Sequence, residues 1–286
     1  VERTIGSTIR KIRTDKNYSQ RYVTDGIMTQ SAYSKFELNK TDISFFSLAK
    51  ILENLEVSMD EFLYIHNGFC PSAKNRIISA FTSISYNDEE QLNELVCWAD
   101  AYLDSEDDLL VRDIQALFEG LLLFVHTSNE ESLKASVTNV WERLSGKNQL
   151  YLTDLYLLNA IFYLFPLETM LEVRKLAEYS LARYSQFPKA PRLHLNFSVN
   201  ISLLLMKENR FAEALEEAEA AIPLAKQHKA FLQLAVCYVR KGICLQVMKE
   251  GGQCWIDKGM TILEVLDEEG LLRMADGEVA RYTVRL

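Results

Sequence analysis

The stretch Ser19-Gln20-Arg21-Tyr22-Val23-Thr24-Asp25-Gly26-Ile27-Met28-Thr29-Gln30-Ser31-Ala32-Tyr33-Ser34-Lys35-Phe36-Glu37 decides the N-terminal architecture. Ser19 and Thr29 are N-cap residues, so each opens a short helix by accepting a hydrogen bond from the next turn. Gly26 between them supplies the left-handed turn that ends the first helix. Tyr22 and Val23 can point inward from one helix, Tyr33 and Phe36 from the other. Working outward, Ile5, Ile9 and Ile12 share one face of a helix over about Thr4 to Asp15. Ser44 caps a fourth helix whose Phe45, Leu48, Ile51, Leu52 and Leu55 form an apolar stripe. Ser58-Met59-Asp60-Glu61 is a capping box for a fifth, which carries Phe62 and Leu63. Two short helices joined by a tight glycine turn inside a five-helix unit make a helix-turn-helix.

The 286 residues include only 11 glycines and 5 prolines, too few turn residues for a sandwich or an α/β enzyme of this length, so the chain is expected to be all-α. No apolar stretch approaches the roughly 20 residues of a membrane span, and no signal-peptide core follows Val1, which places the protein in the cytoplasm without a membrane partner. Five cysteines without CxxC spacing argue against a disulfide framework, and Cys97, Cys237 and Cys244 read as core thiols. The four histidines are scattered, so no metal site and no cofactor are expected. No phosphate loop, GxSxG, HExxH or paired catalytic carboxylates occur, and Asp104 to Asp108 reads as an exposed helix connection. The chain is not expected to be an enzyme.

Charge is uneven. Residues 1–40 hold eight basic and four acidic side chains, whereas the whole chain carries a net −9. A basic arm on an acidic body suggests a polyanion partner at one end. The motif residues Ser19-Gln20, Thr29 to Glu37, Lys40 and Ile43-Ser44 resemble the Cro/phage-repressor (XRE-type) helix-turn-helix. Ile9 to Arg13, Ser34 to Glu37 and Asp42 to Phe45 are similar to its Rgg/GadR/MutR branch, over about 65 residues. Asn39 departs from the usual glycine after the recognition helix, but asparagine tolerates the left-handed conformation. Some relatives have a cysteine in the place of Phe45, so any redox or cross-linking role of that cysteine is lost here. The resemblance implies that Gln30, Ser31, Ser34 and Lys35 face base edges in the major groove of double-stranded DNA. Arg10, Arg13, Gln20 and Lys40 would hold phosphates, and Glu37 matches a position that makes a structural ion pair.

Residues 1–66 therefore read as the DNA-binding domain, 67–73 as a linker, and 74–286 as a helical repeat. Met206-Lys207-Glu208 recurs as Met248-Lys249-Glu250, each between apolar helices, and a period of about 40 residues continues back through Leu164-Phe165-Pro166. Helix pairs of this period form an α-solenoid with a concave inner face. Phe211, Leu215, Ala218, Ile222 and Ala225 follow the packing stripe of a tetratricopeptide-like second helix, with small alanines for close approach. The resemblance implies a short, imported signalling peptide on the inner face, as in quorum sensing, with binding candidates Asn159, Asn196, Asn200, Tyr238, Arg240 and Lys241. Asparagine amides offer both a donor and an acceptor to an extended backbone. Trp98, Trp141 and Trp255 read as packing residues. Gly270 to Leu286 is a capping helix or a dimer-contact helix.

The expected function is a homodimeric transcription regulator whose repeat domain senses a peptide. The alternative is a helical-repeat interaction module tethered to DNA without peptide sensing.

Overall fold

A computed structural model describes residues 3–84, 89–127, 129–187 and 190–283, and every regular element among them is a helix. The chain divides into two compact units, Val1–Ile78 and Ser79–Leu286.

The first unit contains α1 (Ile5–Asp15), α2 (Gln20–Thr24), α3 (Gln30–Glu37), α4 (Phe45–Asn54) and α5 (Met59–His66). Local side-chain caps set most of these boundaries. The hydroxyls of Thr4, Ser19, Thr29, Ser44 and Ser58 accept the amide protons of Ser7, Tyr22, Ala32, Ser47 and Glu61. Gly26 takes the left-handed φ of 69°, and Asn39 does the same after α3 at 58°. The helices close over Ile9, Val23, Tyr33, Ile51, Leu55 and Phe62, all at most 1% exposed. Burying each such side chain stabilises the unit by roughly 1.5–3 kcal/mol. The backbones of α1 and α3 touch, because a Cβ on Gly6 would collide with the Phe36 carbonyl. Four apolar side chains depart from the expected inward stripes: Ile5, Tyr22, Phe45 and Leu63 are exposed, at 44%, 53%, 68% and 42%. In their place Ile9, Val23 and Phe62 enter the core of the unit, with Leu48 packed against it.

Residues 67–72 turn between α5 and α6 (Ala73–Ser83), with left-handed Gly68 and Phe69. The division into units falls inside α6. The second unit continues through α7 (Glu89–Leu103), α8 (Leu109–Thr127), α9 (Glu130–Ser136), α10 (Thr138–Ser145) and α11 (Leu152–Ile161) with a 3-10 turn, Phe162–Leu164. It ends with α12 (Leu167–Ala182), α13 (Ala190–Lys207), α14 (Phe211–Gln227), α15 (Phe231–Val247), α16 (Gln253–Val265) and α17 (Glu269–Thr283). In the acidic connection before α8, Asp108 caps the helix by accepting from the amides of Leu110 and Val111.

From α11 onward the helices alternate between two layers. The odd-numbered helices α11, α13, α15 and α17 pack side by side in one layer, while α12, α14 and α16 pack between them on the other side. Successive inner helices begin at Leu152, Ala190, Phe231 and Glu269, the roughly 40-residue period of a tetratricopeptide-like solenoid. From α13 onward short connections close each step with a left-handed residue, Asn209, Lys229, Lys249 and Asp267. The inner side of α14 is an alanine stripe, Ala214, Ala218, Ala221 and Ala225, all buried, whereas Phe211, Leu215 and Ile222 are half-buried. At Gly259 the α16 backbone meets α15 so closely that a Cβ would collide with the Ala235 carbonyl. Helix α17 packs on α15 and α16 and covers the end of the array; residues 284–286 lie outside the described residues. Trp141 stacks on Phe165 with ring centroids 4.4 Å apart. Cys237 and Cys244 are buried, and burial pushes their thiols up to about 11 and about 12. Cys97 is exposed instead of lying in the core, because Leu92, Leu95 and Ala99 take the buried face of α7.

No helix among the described residues is long and apolar enough to cross a membrane.

Candidate DNA-binding surface and ligand cavity

Helix α3 buries Tyr33, Phe36 and Glu37 and presents Gln30, Ser31 and Lys35 to solvent, with Ser34 half-buried beside them. Arg10 and Lys40 are exposed. Behind this face lies a polar relay. The Arg13 guanidinium grips the Glu37 carboxylate with both arms, Nε to Oε1 at 2.6 Å and Nη2 to Oε2 at 2.9 Å, while Nη1 donates to the Tyr18 carbonyl at 2.9 Å. Gln20 adds its amide to Glu37 at 2.8 Å and accepts from Gln30 at 3.5 Å. The carboxylate side chain is 2% exposed. Burial alone would raise the Glu37 pKa, but hydrogen bonds from Arg13 and Gln20 outweigh it and hold the carboxyl below its ordinary value. Bidentate, charge-assisted contacts of this kind fix orientation as well as contribute energy. The relay ties α1, α2 and α3 together and holds Gln30 at the first position of α3.

The second unit has a half-open cavity of about 1030 Å³ against its inner helix layer. The stripe Tyr156, Asn159 and Tyr163 contributes from α11 and its 3-10 turn, and Asn196, Asn200 and Leu203 from α13. Gln233, Val236 and Arg240 complete it from α15. Its polar groups are paired across neighbouring repeats. The Asn200 amide donates to the Asn159 carbonyl and to its Oδ1, both at 3.0 Å, over a sequence separation of 41 residues. Gln233 donates to Asn196 Oδ1 at 2.9 Å, over 37 residues. Each pair leaves amide donors and an acceptor unspent, the complement an extended peptide backbone requires. The Tyr163 phenol is pushed up to about 12 by burial and by the nearby Glu130 charge.

Residues 9–62 match the helix-turn-helix family. The N-terminal unit is a helix-turn-helix domain. Sequence comparison with curated proteins gives no match, but solved structures align along the whole chain. A protein of Listeria monocytogenes EGD-e superimposes with a TM-score of 0.78 at 17% identity, covering 100% of this chain and 99% of that one. The SHP pheromone receptor Rgg2 of Streptococcus dysgalactiae gives 0.70 at 20% identity, covering 97% and 99%. Bacillus thuringiensis PlcR, solved in complex with the peptide PapR7 and DNA, gives 0.66 at 17% identity, covering 96% and 99%. The chain shares one fold with these proteins from end to end.

In the helix-turn-helix domain the structure brings Gln30, Ser31, Ser34 and Lys35 to one face. It corrects two phosphate assignments. Arg13 spends its donors on Glu37 and Tyr18 and is 12% exposed, so it braces the fold; Gln20 is committed to Glu37 and Gln30. In the repeat unit Asn159, Asn196 and Asn200 meet in the cavity. Tyr238 and Lys241 face away from it: the Tyr238 ring packs on Trp255 at 5.2 Å, and the Lys241 ammonium lies 4.1 Å over that indole while pairing with Glu219 at 2.6 Å. Arg240 reaches the cavity wall but is 2% exposed, its guanidinium held by both Glu278 oxygens, the Val199 carbonyl and Ser202. It is a brace between α13, α15 and α17, not a free ligand contact. Sequence reasoning missed Tyr156, Tyr163, Arg192, Lys229 and Gln233. The helical stripe 156-159-163, and its counterparts 192-196-200-203 and 233-236-240, is the pattern that carries all of them but Lys229, which stands in the turn before α15.

Proposed function

We propose that the chain is a cytoplasmic transcription regulator of the Rgg type, which binds a two-fold DNA operator as a homodimer and responds to a short imported signalling peptide. Residues 1–66 read DNA, 67–73 connect, and 74–286 bind the peptide and form the dimer. The observation that carries this reading is the union, in one chain, of a braced recognition helix and an asparagine-lined cavity large enough for several peptide residues. PlcR, whose fold it shares, was solved with both a peptide and DNA.

On this reading α3 enters the major groove, where Gln30 can pair with adenine and Lys35 can reach guanine. Ser31 and Ser34 accept either base pattern, and Arg10 and Lys40 contact phosphates. The peptide acts by binding two states of the protein with different affinity.

The test is anisotropy binding to DNA from upstream of the gene and its neighbours, across a salt series. Lys35→Ala is expected to weaken the preferred sequence about tenfold while leaving the unfolding transition unchanged, since Lys35 is exposed. Lys40→Ala should weaken all sequences alike and flatten the salt dependence. Equal affinity for every fragment at every salt concentration contradicts the proposal.

A further inference from the structure

The repeat unit gathers a second group of polar side chains on its outer side, none of which lines the cavity. Helices α14 and α16 both pack on α15, and there the Trp255 ring of α16 lies 5.2 Å from the Tyr238 ring of α15. Three ammonium groups collect on these two rings. Lys241 and Lys258 stand 4.1 and 4.4 Å from the centre of the one indole, and Lys226 of α14 stands 5.7 Å from the Tyr238 ring. Attraction to an aromatic face holds each cation in place, so like charges sit close together. Lys241 pairs with Glu219 at 2.6 Å, whereas Lys226 and Lys258 are exposed and have no carboxylate partner among the described residues. Asp257, beside Lys258 in sequence, accepts instead from the Gln253 amide at 2.8 Å. The Trp255 ring is half-buried, yet its indole N–H is neither bonded to another described residue nor sealed from solvent. Ile222 and Ile262 pack against the same rings. In a chain of net charge −9, three lysines against one carboxylate are a local reversal of sign.

We propose that this outer face docks an acidic, amphipathic segment of a partner protein. Carboxylates of the segment pair with Lys226 on one flank and Lys258 on the other, and the free indole N–H of Trp255 adds a donor between them. Apolar side chains of the segment cover the exposed edge of Trp255 and its isoleucine neighbours. The indole face already carries ammonium groups, which favours carboxylates over the base stacking that a single-stranded nucleic acid would use. Because the face lies outside the cavity, both can be filled at once, and the proposal does not depend on what the cavity binds.

The experiment measures fluorescence anisotropy of labelled twelve-residue probes with the full-length chain. One probe alternates glutamate pairs with leucine, a second has glutamine in place of each glutamate, and a third is an oligothymidylate of twelve nucleotides. The glutamate probe is expected to bind about fivefold more tightly than the glutamine probe at low salt, an advantage that shrinks as salt rises. In Lys226→Gln/Lys258→Gln that advantage disappears, while urea unfolding and DNA binding stay as in wild type, since both lysines are exposed and lie outside the helix-turn-helix unit. Trp255→Phe, which removes the N–H and keeps an aromatic ring, is expected to lower the advantage in part. An advantage that survives in the double variant overturns the proposal, because the probe then sits on another basic surface. So does equal binding of the two peptide probes by wild type. Oligothymidylate that binds more tightly than the glutamate probe and is released by the same double variant overturns it in favour of nucleic acid. Self-association of the chain that the double variant abolishes overturns it in favour of a second copy.

Discussion

Replacement of Arg240 by leucine lowers the stability of the C-terminal unit by about 3–5 kcal/mol. The arginine side chain is 3% exposed and its partner Glu278 12% exposed, so the substitution leaves a carboxylate in the interior without its counter-charge. It also strips hydrogen bonds from the Val199 carbonyl and Ser202, which belong to α13, and releases α17 from α15. Removing both partners removes the orphaned charge, so Arg240→Leu/Glu278→Leu is expected to recover a large part of the loss. All three tryptophans, Trp98, Trp141 and Trp255, lie in this unit, so tryptophan fluorescence during urea unfolding reports it without interference from the N-terminal one. A midpoint within experimental error of wild type would show that the buried pair does not hold α17 in place. Arg240 also lines the cavity, so the single variant is expected to weaken peptide retention along with stability.

Arg13→Ala has the second large effect, and it separates two roles that a basic residue near a recognition helix can play. Its partner Glu37 is 2% exposed, and the substitution leaves that carboxylate with only the Gln20 amide bonded to it. The helix-turn-helix domain should lose about 2–4 kcal/mol, read as faster amide exchange in α1 and α3. Its DNA binding then falls through unfolding, for every sequence alike. Lys35→Ala, by contrast, leaves exchange unchanged and alters sequence preference.

The same pair makes a pH statement. Glu37 has a folded-state pKa below its unfolded value, so its contribution is complete above the ordinary glutamate value of about 4.3 and is lost as pH falls from there toward the lower folded pKa. Amide protection in α3 should therefore drop on acidification through that window. In Arg13→Ala the drop should be smaller. An acid response identical in both proteins would contradict the assignment.

The helix-turn-helix was legible because its signals are local. Ser19, Thr29, Ser44 and Ser58 each bond an amide three residues away, and Gly26 and Asn39 take their left-handed turns without distant help. The repeat was legible for a similar reason, since apolar periodicity needs no knowledge of neighbours; the Met-Lys-Glu tripeptides gave the period only approximately, because Met206 and Lys207 end α13 whereas Met248 and Lys249 follow α15, and the equivalent left-handed residues are Asn209 and Lys249. What was hidden depends on contacts far apart in sequence. Whether Arg13 reaches a phosphate or Glu37 is decided over 24 residues. Tyr238 and Lys241 sit on the same helix as Gln233 and Arg240, and only the rotation set by packing α16 against α15 turns them away from the cavity.

The central claim is that the cavity and the recognition helix belong to one switch. It is tested most directly by measuring operator affinity by anisotropy with and without a peptide that the chain binds, at saturation, for wild type and for Asn159→Ala/Asn200→Ala. The account predicts a peptide-dependent shift of about fivefold or more in wild type, and none in the variant, whose DNA binding alone is unchanged. Operator affinity that stays constant while the cavity is filled would contradict it.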